Sequence, residues 1–101
     1  MKSDEFDWHT GKVVQWDLER ITLEKLIDEQ YDELHEDLAQ VEFGANTLLD
    51  VGWYPEFSSE GRFVVNVVRN QEWEEPVLRI ECKDIPGLYA AIRSAINVAR
   101  K

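Results

Sequence analysis

The side chains best suited to acid–base or metal chemistry lie within one acidic stretch of the chain. Asp32, His35 and Glu36 fall on adjacent positions of a predicted helix and could hold a divalent ion weakly. A solvated histidine among carboxylates is the simpler interpretation, so we expect no metal site. The other histidine, His9, lies in a polar N-terminal segment. The sequence contains no HExxH motif, paired His/Cys spacing, P-loop or GxGxxG pattern, and we therefore expect no cofactor.

Nucleophilic chemistry has equally little support in the sequence. Cys82 alternates with charged residues on a predicted strand, which indicates a buried structural thiol, and no basic neighbour is evident to lower its pKa. The sequence therefore predicts that the protein is not an enzyme and has no catalytic residues. The competing hypothesis is a small enzyme whose site assembles from scattered residues such as His35, Glu36 and Asp50.

Binding is the chemistry that the acidic stretch favours. On a helix, its carboxylates form four like-charge pairs one turn apart, and each pair should destabilise the helix by roughly 0.2–0.5 kcal/mol. A solvated helix face normally mixes signs, so a face of one sign is better explained by a basic partner that docks on it. The predicted partner-binding surface contains Asp28, Glu29, Asp32, Glu33, Glu36 and Asp37.

A long amphipathic helix over residues 22–44 is predicted to position these carboxylates. Thr22 is the expected N-cap, and Gly44 is expected to end the helix. Apolar residues recur at spacings of three and four on the side opposite the acidic residues. This stripe consists of Leu23, Leu26, Ile27, Tyr31, Leu34, Leu38 and Val41.

The rest of the chain predicts strands followed by a second helix. Segments 47–54, 62–69 and 77–82 have strand character, and 13–16 is a possible edge strand. Asp84 and Pro86 then open a C-terminal helix. The predicted fold class is α+β, in the order (β)αβββα. It has an antiparallel sheet of three to four strands, with the long N-terminal helix and the C-terminal helix on one face. We expect one domain over residues 1–101, with residues 1–12 flexible.

Several aromatic residues stand where a structural role is a poor explanation. Tyr54, Glu56 and Phe57 lie where a predicted strand enters a loop, and Trp73 stands in a later loop among glutamates. Aromatic residues ringed by acids are typical anchors of protein interfaces. We therefore add these four residues to the predicted partner-binding set. Packing of the loops onto the core is the alternative for Phe57 and Trp73.

Composition limits the classes of partner. The net charge is −10, from 21 acidic and 11 basic residues, so direct nucleic-acid binding is disfavoured. No apolar run approaches the ~20 residues that span a bilayer, and the N-terminus has no signal-peptide pattern. A single cysteine fits a reducing compartment. We expect a cytoplasmic protein without a membrane partner, either a monomer or a homodimer.

The chain's layout combines the long acidic helix, the segment GWYPEF at 52–57, the strand GRFVVNVV at 61–68, Trp73 and a closing helix. In size, acidity and layout it resembles a bacterial immunity protein of contact-dependent growth inhibition. This resemblance covers most of the chain. It implies that the partner is the C-terminal domain of a cognate toxin, often a basic RNase or DNase, bound tightly over or near its active site.

The residues themselves suggest how such inhibition would work. The acidic residues would mimic the phosphates that a nuclease cleft binds and would speed encounter, while Tyr54, Phe57 and Trp73 would slow dissociation. The alternative function is an acidic adaptor or regulatory module for another basic protein.

Overall fold

The fold is a five-stranded antiparallel sheet with one α-helix packed on one face. The computed structural model describes residues 1–22 and 24–101. Each strand pairs with its neighbour in sequence, so the sheet order is β1-β2-β3-β4-β5. The principal extents of 36 × 28 × 19 Å correspond to two layers, since packed layers lie about 10 Å apart. The elements are β1 (Lys12–Trp16), β2 (Ala39–Phe43), β3 (Thr47–Tyr54), β4 (Arg62–Arg69), β5 (Leu78–Cys82) and α1 (Ile85–Ala99).

The C-terminal helix α1 begins where the sequence predicted. Asp84 is its N-cap, and the Asp84 side chain accepts a hydrogen bond of 2.7 Å from the backbone N–H of Gly87. Pro86 occupies the first turn, where its missing N–H leaves no acceptor unpaired. The helix contacts β3, β4 and β5. The apolar side of α1 is buried against the sheet, with Leu88, Ile92, Ala95, Ile96 and Ala99.

The second layer is completed by irregular chain rather than by a second α-helix. The described residues 17–22 and 24–38 contain three short 3-10 helices, Leu18–Arg20, Ile27–Glu29 and Tyr31–Glu33. The buried Gln30 side chain holds this segment together, because its amide group bonds the backbone of Thr22 in both directions, at 2.8 and 2.9 Å. The segment inserts four fully buried side chains into the core: Leu18, Ile21, Leu34 and Leu38.

The predicted helix over residues 22–44 is wrong, and two physical reasons account for this. First, the four like-charge pairs oppose a helix through residues 28–37. Second, residues 39–43 alternate: Ala39, Val41 and Phe43 are buried, while Gln40 and Glu42 point to the other face, as in a half-buried strand. Gly44, with φ of +69°, turns the chain between β2 and β3 instead of capping a helix. Leu23, which belonged to the predicted stripe, lies outside the described residues.

The predicted fold class is therefore wrong, although the structure contains the strands and the helix that were predicted after residue 46. Residues 1–22 and 24–101 form five strands and one α-helix, not three to four strands with a long N-terminal helix and a C-terminal helix. The predicted strands at 47–54 and 62–69 are confirmed, and those at 13–16 and 77–82 correspond to β1 and β5. The flexibility of residues 1–12 stays a prediction, although Met1 and Phe6 are buried in the core. Across residues 1–22 and 24–101, no helix has both the length and the apolar character to cross a membrane.

Candidate protein-binding face

The sheet face opposite α1 is the most distinctive surface of the protein. The helix α1 packs on the other face, and Leu18, Ile27 and Tyr31 of the 3-10 helices belong to or pack against the same hydrophobic core. Alternate residues of β3 and β4 point to the free face, and the register sets Asp50 beside Asn66 and Gly52 beside Val64. We call this surface the open face; its central residues are Leu48, Asp50, Gly52, Tyr54, Val64, Asn66 and Val68. Asp50, Gly52, Val64 and Val68 are themselves buried, so the accessible part of the open face is its rim.

Two of the predicted acidic residues reach the open face through a bulge. The His35 carbonyl accepts a bond of 2.8 Å from the N–H of Trp53, and Leu38 donates one of 2.9 Å to Val51. Glu36 and Asp37 lie between these bonds with no partners in β3, and we call them the acidic bulge. The Glu36 carbonyl comes so close to Gly52 that a Cβ atom there would overlap it. The lack of a side chain at residue 52 is what allows the bulge to cross the sheet.

The centre of the open face holds two polar side chains in an unusual environment. Asp50 is only 3% exposed, and it accepts a hydrogen bond of 3.1 Å from Nε2 of Gln40. Burial raises the pKa of the Asp50 carboxyl; the Gln40 bond acts in the opposite direction, and the charge of Asp37 adds to the rise. On the neighbouring strand, Oδ1 of Asn66 is buried and has no hydrogen-bond donor among the described residues. The two acceptors are therefore enclosed by the chain, and the Asn66 oxygen is a buried polar atom without a compensating hydrogen bond among the described residues.

One end of the open face is aromatic and acidic. Tyr54 is 37% exposed and Phe57 is 48% exposed. Burial is the largest cause that raises the pKa of Tyr54, followed by the negative charges of Asp50, Asp37 and Glu36, which places the acidic bulge near its hydroxyl. Phe57 packs edge-on against His35, with ring centroids 5.0 Å apart, and has a left-handed φ of +59°. The structure thus brings together predicted site residues from two separate segments, and Glu56 is exposed beside them.

The opposite end of the open face carries Trp73, whose indole is 49% exposed. It borders a groove of about 410 Å³ that also includes Leu48 and Val68 of the open face. The groove is closed by a tight turn in which Asn70 and Gln71 both have positive φ, at +56° and +60°. The two ends of the open face lie at opposite ends of β3, whose eight residues span a distance of about 23 Å. Trp73 therefore lies apart from Tyr54 and Phe57. A single partner could contact all three residues only if its interface covered the whole open face.

The other four predicted acidic residues lie outside the acidic bulge, in two short 3-10 helices. Asp28 and Glu29 lie in one 3-10 helix, and Asp32 and Glu33 lie in the next. Asp28 accepts a hydrogen bond of 2.9 Å from the Tyr31 hydroxyl. The single acidic helix face predicted from the sequence is therefore wrong, because no α-helix aligns its members. Sequence reasoning also missed Gln40 and Asn66; the available signal was an asparagine inside an otherwise apolar strand.

Other reactive groups have local explanations. Burial raises the pKa of the Cys82 thiol to about 11, so the thiol stays protonated near neutral pH. His9 contacts Arg100, with Nε2 and Nη1 2.7 Å apart, and His35 packs on Phe57. No cluster of three His, Cys, Asp or Glu residues with metal-binding geometry occurs in residues 1–22 and 24–101.

Comparisons with protein-family models, with curated proteins and with solved structures found no match to this chain.

Proposed function

We propose that this protein binds another protein through its open face and acts as an immunity protein against a toxin domain, a basic RNase or DNase. The observation that carries the proposal is the cluster of partly exposed Tyr54 and Phe57 beside the acidic bulge at one end of that face. Glu36 and Asp37 are exposed there. A lysine or arginine from a partner would form charge-assisted hydrogen bonds with their carboxylates.

Charge supports a basic partner. The net charge of −10 would steer a positively charged domain toward the protein and raise the association rate. Glu36 and Asp37 hold negative charge at the rim of the open face, next to Tyr54. A nuclease needs a positively charged cleft for the phosphates of its substrate. Such a cleft would be complementary in charge to this rim. Binding there would exclude the nucleic acid and would require no catalytic group on this chain.

Aromatic side chains would supply the slow dissociation that charge alone does not. Tyr54 and Phe57 at one end and Trp73 at the other are each between one third and one half exposed. Aromatic residues of this kind dominate the energetics of many protein interfaces. A nuclease toxin would act on nucleic acid inside the cell, so we also propose that this chain works in the cytoplasm, where its single protonated thiol meets no oxidising partner.

Growth rescue tests the function. The immunity hypothesis predicts a gene for a large secreted toxin immediately upstream, and the C-terminal domain of that toxin is expressed with or without this chain. We expect the chain to restore growth and to block the toxin's activity in the purified pair. The absence of such a gene, or killing that the chain leaves unchanged, contradicts the proposal. Binding of a basic host protein without any protection would instead support the adaptor function.

Matched charge reversals test the surface. Glu36→Lys with Asp37→Lys changes the acidic bulge, while Glu29→Lys with Asp32→Lys makes the same change in net charge away from it. Both pairs weaken long-range steering, but we expect the bulge pair to lower the association rate at least threefold more at low salt. The difference should shrink at high salt, because screening acts over about 8 Å at physiological ionic strength. Equal effects of the two pairs would argue against docking at the open face.

A further inference from the structure

The strand β5 forms an outer edge of the sheet, and no bulge interrupts it. Its register with β4 runs without interruption from Phe63↔Cys82 to Val67↔Leu78. In the part of the chain that the structure describes, no backbone hydrogen bond joins β5 to anything except β4. The opposite edge strand differs, since a register shift between Val13 and Gln15 interrupts β1. Bulges of that kind prevent edge-to-edge pairing, and β5 lacks one.

The sequence of β5 is self-complementary when two copies run antiparallel. A two-fold axis at Ile80 sets Arg79 of one copy opposite Glu81 of the other, and Leu78 opposite Cys82. Opposite charges directly across an antiparallel pair stabilise it, and like charges destabilise it. Both charged residues occur twice in the pairing, so the symmetric arrangement contains two such cross-strand pairs.

Other registers of the same strand are unfavourable. A shift that centres the axis on Arg79 or on Glu81 sets like charges opposite each other. A shift by one residue sets the charged face of one copy against the apolar face of the other. Only the register centred on Ile80 aligns both the charges and the apolar side chains.

We propose that two copies of this protein pair through β5 to form a symmetric dimer with one continuous ten-stranded sheet. The half-buried Leu78, Ile80 and Cys82 side chains gain neighbours from the partner on the helix side of the sheet. On the other side, Arg79 and Glu81 already form an ion pair at 3.2 Å, and the dimer extends it into a ladder of alternating charge. The two open faces then lie on one side of the dimer, each free to bind a partner.

Sedimentation velocity between about 10 µM and about 1 mM tests the dimer, since an interface built from one short strand is expected to be weak. The measurement is made at physiological salt to screen the repulsion between two chains of net charge −10. We expect concentration-dependent dimerisation of the unmodified chain. A monomer over the whole range would overturn the proposal and would leave the β5 edge available to a strand of a different protein.

Charge swaps test the register. Arg79→Glu and Glu81→Arg should each raise the dissociation constant at least tenfold, because each sets like charges opposite each other. The double variant restores complementarity and should recover most of the affinity. Arg62→Glu is the matched control: it removes the 3.2 Å ion pair between Arg62 and Glu81 without changing an edge residue. Circular dichroism verifies that each variant is folded. A dimer that is insensitive to the single swaps, or that the double swap does not restore, would refute this pairing.

Discussion

Replacing Gly52 by alanine should strongly destabilise the protein. The residue lies in the middle of β3 beneath the acidic bulge, and an added Cβ would overlap the Glu36 carbonyl oxygen and lie 2.7 Å from the Tyr54 ring. A ring can turn aside, but the carbonyl is held by the backbone bonds that His35 and Leu38 make on either side of it. The sheet or the bulge must therefore shift.

The cost can be sized from known effects of overpacking. Extra methylene groups in a well-packed site usually cost about 1–3 kcal/mol, and a fixed backbone obstacle argues for the upper half, about 2–3 kcal/mol. For a domain of this size, that corresponds to a fall in Tm of about 10–20 °C. Because the bulge carries Glu36 and Asp37, the variant should also bind a basic partner more weakly.

Urea and thermal unfolding followed by tryptophan fluorescence measure the effect. Gly44→Ala is the matched control, because no atom lies within 4 Å of its added Cβ and only the φ of +69° opposes the change, at a cost of about 1 kcal/mol. If Gly52→Ala costs no more than this control, the close crossing of the bulge over β3 is incorrect.

Three further substitutions or reactions probe other groups. Because the pKa of Asp50 is raised in the folded state, its carboxyl holds more proton in the folded protein than in the unfolded chain from about pH 4 up to the folded pKa, and its contribution to stability should fall as pH rises over that range. Asp50→Asn should flatten that dependence in urea titrations, and an unchanged profile would exclude Asp50 as its source. Asp84→Ala should cost about 0.5–2 kcal/mol through loss of the cap to Gly87, whereas Asp84→Asn should cost much less; equal losses would contradict the capping role. Since the pKa of Cys82 is about 11, a thiol reagent at pH 8 should react slowly until denaturant is added, and rapid labelling of the folded protein would show that the thiol is accessible and ionised.

The elements predicted correctly are those in which one periodicity explains every residue. In β4, Phe63, Val65 and Val67 face α1, and the alternate residues face the other side, as the sequence pattern indicated. The start of α1 is likewise encoded locally, since Asp84 and Pro86 are strong initiation signals. Local information was sufficient for these segments.

The long helix was predicted wrongly because its apolar spacing fits two structures. Leu34 and Leu38 are four residues apart, as in a helix, yet each is buried individually by irregular chain. Val41 continued the helical spacing while also belonging to the alternating strand β2. The repulsion among the carboxylates is compatible with a basic partner, but it is equally evidence against the helix.

The centre of the candidate site could not be derived from the sequence for a different reason. Asp50 and Asn66 are 16 positions apart, and only the pairing register of β3 with β4 sets them side by side. Gln40 joins them through the register of β2 with β3. A strand pattern shows which face a residue occupies, but it does not show which residue stands opposite it.

The order of the strands has a consequence for how the chain folds. The connections from β2 onward span only residues 44–46, 55–61 and 70–77, whereas residues 17–38 separate β1 from β2. The entropic cost of closing the connection between β1 and β2 is roughly 1 kcal/mol higher than that of the eight-residue connection between β4 and β5. We expect β2 through α1 to assemble first, with β1 and residues 1–38 docking last and detaching first. Native-state hydrogen exchange should then show amides of β1 opening at lower free energy than those of β3 and β4; uniform protection across the sheet would mean that the five strands act as one cooperative unit.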